Sequence, residues 1–253
     1  MEISSDLQLS NKLVLGCHIS GVFDVNRSQM LSDDDFSIIK EWANSISKLN
    51  LQAVIFHNNF SEETTLKFQS KNLHFIKITH DIRFNPNVYR YYIYSEFLKK
   101  YCDKIESLFV TDVSDVLVLK NPFIQPLFIN NPDFVFCGDE QTIWDNEWMH
   151  QHGSHLRNQI SDYSEIESEY KSKALLNCGI IGGTIQMIKS LIDSIWQVHE
   201  FYNFNNTSSF TGDMGVFNYV LRKKYTNHIM HGAPVNTIFK GYIDDGVSWF
   251  QHK

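Results

Sequence analysis

Apolar positions along the chain alternate between two periods. Lys12 to His18 is a short apolar run suited to a buried strand. Ser32 to Leu49 follows with Phe36, Ile39, Trp42, Ala43, Ile46 and Leu49 on one face at helical spacing. Ser32 and the acids Asp33, Asp34 and Asp35 suit the start of that helix, where an oxygen caps open N–H groups and negative charge favours the dipole. Leu51 to His57 predicts a second strand, Ser61 a helix start, and Leu73 to Ile78 a third strand. Asn87 to Lys100 predicts an aromatic-rich helix, Leu108 to Thr111 a fourth strand and Phe134 to Gly138 a fifth. A polar stretch from Asp139 to Lys173 carries a helical part around Tyr163 to Lys173. Leu175 to Gly182 is again strand-like, Met187 to Val198 strongly amphipathic, and Gly215 to Leu221 helical; the last part of the chain shows no clear period. Strand alternating with helix predicts an α/β fold with a mainly parallel central sheet flanked by helices. Ligands of such open sheets bind beyond the carboxyl ends of the strands. With no internal repeat, low-complexity run or Pro/Gly/Ser linker, residues 1–253 read as a single domain.

Composition narrows the class. At 253 residues, 43% hydrophobic and 14% aromatic, the chain can build a substantial core. A formal net charge of -7 without a dense Lys/Arg run argues against nucleic acid as a partner. Cys17, Cys102, Cys137 and Cys178 are scattered without paired spacing, as expected of small buried side chains in a reducing compartment. Neither a signal peptide nor an apolar stretch of membrane-spanning length is visible, so a cytoplasmic location is expected.

Candidate chemistry gathers at Ser107 to Phe123, where an apolar strand runs into Asp112 and Asp115 and a second apolar run is stopped by Asn121-Pro122. Two nearby carboxylates at a strand end call for a counter-charge. Hard divalent cations take oxygen ligands and commonly share carboxylates with substrate phosphates, so this turn is a candidate metal and diphosphate site. Thr111-Asp112-Val113-Ser114-Asp115-Val116 resembles the metal-binding turn of GT-A-fold glycosyltransferases, whose signature is Asp-x-Asp after a hydrophobic strand. The spacing here is one residue longer, which leaves open whether both carboxylates touch the metal or one acts through water.

Further segments carry the resemblance, in particular to glycogenin-like galactosyl- and glucosyltransferases. Asn177-Cys178-Gly179 is similar to that family's Asn-Ala-Gly segment. Thr211-Gly212-Asp213-Met214 is similar to its Asp-Gln helix start, with Met214 in place of Gln. The resemblance implies that Asn177 and Asp213 lie near the reacting sugar. It also implies a closing His that completes the metal shell and a Lys on the diphosphate. His252 with Lys253 and His231 with Lys240 compete for those roles, the former leaving room for a longer native chain. Asp24 and Arg27, after the first strand, are donor-site candidates by the same resemblance. On the residues alone they suit a loop ion pair equally well. Arg90 could reach a phosphate bidentately, whereas the neighbouring Tyr89, Tyr91 and Tyr92 fit a core stripe better than a base-stacking platform. Asp139 and Glu140 follow the fifth strand as candidates for acceptor hydroxyls.

The resemblance thus implies a GT-A (Rossmann-like) domain with a nucleotide-sugar-binding half at about 1–123 and an acceptor-binding half at about 124–253. The implied activity is transfer of a hexose from a nucleotide diphosphate sugar, UDP-linked by preference, to a hydroxyl of a glycan or lipid-linked saccharide. Mn²⁺ or Mg²⁺ would assist, configuration would be retained by preference, and a lipid-linked acceptor would draw the protein peripherally to a membrane. Two rivals remain at this level. His150, His152 and His155 have the His-x-His-x-x-His spacing of binuclear zinc hydrolases, although Ser154 stands where that family has Asp. The other rival is a sugar-binding domain on the same fold without catalysis.

Overall fold

The structure, a computed structural model, describes residues 8–24, 29–205 and 212–253. The first strands are β1 (Lys12–His18), β2 (Phe23–Asp24), β3 (Gln29–Met30), β4 (Gln52–His57), β5 (Leu73–Lys77) and β6 (Ser107–Thr111). β7 (Val116–Val118), β8 (Val135–Ile143), β9 (Ala174–Thr184), β10 (Ile229–His231) and β11 (Phe250–His252) follow. The helices are α1 (Lys40–Lys48), α2 (Glu62–Phe68), α3 (Pro86–Tyr101), α4 (Pro126–Ile129), α5 (Glu147–His152), α6 (Ser154–Gln159), α7 (Tyr163–Tyr170), α8 (Ile185–Tyr202) and α9 (Asp213–Tyr225).

Among the described residues, seven strands form the central sheet in the order β10-β8-β9-β6-β1-β4-β5. β1 is parallel to β4 and to β6, and β4 to β5, so the chain winds one way from β1 to β5 and then crosses back to β6. The gap between the carboxyl ends of β1 and β6 is therefore a topological switch point, where open sheets form their binding crevices. The expectation of a mainly parallel sheet holds with one refinement: β9 runs antiparallel to both β6 and β8. Short β7 and β11 pair antiparallel beside the sheet.

Both faces of the sheet are buried, which accounts for the continuous apolar runs in β1 and β4. Successive side chains point to opposite faces. Leu13 and Leu15 join α3, α8 and α9 in one core with Phe56, Tyr91, Phe97 and Ile192. Val14, Ala53 and Ile55 join Trp42, Phe109, Phe123 and Trp249 in the other. Tyr89 and Tyr91 are buried in the first core, as the aromatic stripe suggested.

The helix expected from Ser32 begins later. A 3-10 turn at Phe36–Ile39 leads into α1, and of the three acids only Asp35 caps, accepting from the Ser37 backbone N–H at 2.9 Å. Asp33 instead accepts from Asn59 and Ser20, and Asp34 from the Ser61 backbone N–H, tying this segment to the loop after β4. Ser61 caps α2 as expected, accepting from the Thr64 N–H at 3.1 Å. The strand at Phe134 to Gly138 extends to Ile143, and the polar stretch after it folds into α5, α6 and α7 rather than one helical part.

Candidate metal centre and cleft

β6 ends at Thr111 with every residue buried, and the chain emerges at Asp112 into a turn that carries Asp115. β7 starts immediately after, and β11 pairs with it so that His252 lies opposite Val116. The Lys253 N–H donates to the Asp115 carbonyl at 2.8 Å, which locks the end of the chain onto the turn. Asp112, Asp115 and His252 each offer a ligand atom, and these atoms lie within 4.8 Å of one another; Nε2 of His252 is 4.0 Å from Oδ2 of Asp115. Burial lowers the His252 pKa against the pull of Asp112 and Glu140, which keeps the imidazole neutral and its lone pair available.

The third wall is β9. Its ladder with β8 skips from Cys137–Ile181 to Gly138–Asn177, a bulge that turns Cys178 and Gly179 toward the site. The Asp112 N–H donates to the Gly179 carbonyl at 2.8 Å. A Cβ at Gly179 would lie 2.5 Å from Cε1 of His252 and 2.8 Å from Oδ2 of Asp112, so only glycine leaves this space open. Asn177 lies within β9, not at its end, because this strand runs back past the carboxyl end of β6. Its side chain accepts from the Gly179 N–H at 2.7 Å and donates to Glu140 at 2.9 Å. Burial raises the Glu140 pKa, partly offset by Asn177.

Arg90 joins the two halves of the site from α3. Its Nη1 donates to Asp112, while Nη2 donates to Cys178 Sγ at 3.2 Å and is 3.9 Å from Asp213 Oδ2. The guanidinium is thus committed to carboxylates, where the sequence suggested a fork open to phosphate. Burial alone would lower its pKa, but the Asp112 carboxylate prevails and holds it well above the ordinary value. Asp213 is the first residue of α9, after Gly212 in the left-handed region at φ 71°, and is almost fully buried.

These groups line a cleft of about 770 Å³ with His18 from β1, and with Lys240, Lys253 and Trp148. The size is that of small-ligand sites. Carboxylates outnumber Lys and Arg along it, so an anionic ligand calls for an added cation. Lys253 pairs with Glu41 at its mouth, and the Lys240 N–H donates to the His252 carbonyl at 3.1 Å.

Other expected residues lie elsewhere. His231, on β10, binds Asp139 through Nδ1 at 2.8 Å and is not in the Asp112–Asp115–His252 group. Arg27 and the side chain of Asp24 lie outside the described residues, as does Thr211. The three histidines of the zinc-like spacing diverge. His150 pairs with Asp145, His152 packs on Trp148, and His155 bonds Asn203, so among the described residues they form no common ligand group.

Trp148 and Asn218 were not singled out in the sequence. Asn218 is fully buried on α9, accepts from the Leu176 N–H, and donates to the carbonyls of Leu176 and Met214, fixing β9 to the helix that carries Asp213. A buried amide at i+5 from Asp213 on an otherwise apolar helix face was the available signal. Neither the family models nor the curated proteins searched match this chain.

Proposed function

We propose that the protein is a metal-dependent glycosyltransferase of the GT-A type. It would transfer a hexose from a nucleotide diphosphate sugar, UDP-linked by preference, to a hydroxyl of a glycan or lipid-linked saccharide. The observation that carries this reading is the convergence of Asp112, Asp115 and His252 at the carboxyl edge of the sheet, beside its switch point. An oxygen-rich set with one imidazole suits Mn²⁺ or Mg²⁺. Among the described residues the buried Nδ1 of His252 has no hydrogen-bond partner, and the space kept open by Gly179 adjoins the same group, so the residues fit a cation.

Bound there, the cation would neutralise charge growing on the diphosphate leaving group. The chain's own residues supply the rest. Arg90 holds the Asp112 carboxylate in place, as outer partners of metal ligands do. Lys240 and Lys253 border the cleft and would offset remaining phosphate charge. Asn177, oriented by Gly179 and Glu140, and Asp213, held beside Arg90, would position the transferred sugar and the incoming hydroxyl.

The test is a panel of nucleotide sugars incubated with the purified protein, with and without Mn²⁺, read as released nucleotide. Metal-dependent release from one donor or a few, lost in Asp115→Asn, is the expected result. Absence of release from every donor at every metal concentration would contradict the reading.

A further inference from the structure

Beside the main cleft lies a second pocket of about 500 Å³, and Glu140 and Trp148 line both. Glu140 and Thr142, two residues apart on β8, both line the second pocket. Buried Trp144 then anchors the chain, its backbone N–H donating to the Lys173 carbonyl at 3.0 Å. Asn146 caps α5 by accepting from the Met149 N–H at 2.9 Å. Met149 and His152 are buried, which pins one side of this short helix and leaves Trp148 at the junction of the two pockets. Trp148 is 41% exposed yet its ring is not loose: the His152 ring packs on it with centroids 3.8 Å apart.

We infer that this pocket seats a neutral saccharide ring, the acceptor's, against the Trp148 indole. An aromatic face held rigid at a cleft edge offers apolar area at low entropy cost, and it matches the C–H face of a pyranose. Around it stand hydroxyl-binding groups: the Glu140 and Glu147 carboxylates and the Gln151 amide. Among the described lining residues there is no Lys or Arg, so a uronate or phosphorylated sugar would meet only negative charge. The junction position places a ring bound here next to Asn177, which bonds Glu140. The word acceptor rests on the transferase reading; the binding of a neutral ring does not.

Tryptophan fluorescence can read this pocket directly, because Trp42, Trp144, Trp196 and Trp249 are all buried. Lactose, maltose and cellobiose, with digalacturonate as the acidic counterpart, would be titrated into the protein without metal or nucleotide. The expected result is a saturable change with at least one neutral disaccharide and at least tenfold weaker binding of digalacturonate. Calorimetry should show Trp148→Ala losing tenfold or more in affinity. Trp148→Phe, which keeps an aromatic face, serves if the alanine variant does not fold. Glu147→Lys should narrow the neutral-over-acidic preference. No response to any neutral disaccharide, equal binding of digalacturonate, or undiminished binding by folded Trp148→Ala would overturn the inference. Saccharide binding without nucleotide release in the donor screen would sink the transferase and leave the pocket; release without saccharide binding would do the reverse.

Discussion

Arg90 is the residue on which most of the site's charge converges. It is the cation that Asp112 and Asp213 share inside the cleft wall, and the residue is 9% exposed. Removing one partner from such a group leaves a buried charge unpaired, and the loss exceeds what the pair itself contributes. Arg90→Met should therefore lower stability by roughly 3 kcal/mol, read by denaturant unfolding. Asp115→Asn, on the partly exposed turn, should leave the unfolding midpoint nearly unchanged while weakening Mn²⁺ binding at least tenfold. Wild-type stability of Arg90→Met would mean that the carboxylates do not depend on it. At this scale the sequence pointed to Asp112 and Asp115 as carboxylates following an apolar run, and to Asp213 only through the family resemblance. It was silent on Trp148, whose meaning depends on His152 one turn away and on a pocket assembled from β8 and α5.

Elements long enough to show a pattern were legible: β1, β4 and β6 as apolar runs, α3 as an aromatic-rich helical stretch and α8 by its amphipathic spacing. What could not be read is pairing. β7 and β11 have three residues each, too few for a period, yet their antiparallel contact is what delivers His252 to Asp115. Nor does any local signal give the reversed direction of β9, which carries Asn177 and Gly179 past the end of β6. The bulge there makes a prediction of its own. Gly179→Ala would drive a methyl group against His252 and Asp112, so Mn²⁺ affinity should fall by more than tenfold in a folded protein, measured by calorimetry. Gly182 faces the Phe109 ring across β6 and β9, deep in the core, where an added methyl has nowhere to go. Gly182→Ala should cost about 2 kcal/mol of stability, with unchanged metal affinity in the fraction that folds.

Across the whole molecule, buried neutral histidines set the response to acid. Burial lowers the His57 pKa to about 4, with Lys77 and His18 reinforcing it, and lowers that of His199 to about 3. Both lie below the ordinary histidine value, so between there and about pH 4 the unfolded chain takes up protons that the folded one does not. Stability contributed by these groups is complete above the unfolded pKa and is lost as pH falls through that window. Asp162 and Asp245, held low by hydrogen bonds, act in the same direction further down. The thermal midpoint should fall steadily from pH 7 to pH 4.5; a flat or rising profile would contradict this.

At the same scale, the fold gathers the carboxyl ends of β1 and β6 and the short β11 around the cleft. The central claim is that this cleft holds a divalent cation on Asp112, Asp115 and His252. Manganese electron paramagnetic resonance, with and without UDP, tests it most directly on the wild type and on Asp115→Asn and His252→Ala. One saturable Mn²⁺ site, tightened by UDP and weakened at least tenfold in both variants, is the predicted result. Manganese that binds equally well to all three proteins, or that ignores UDP, would contradict it.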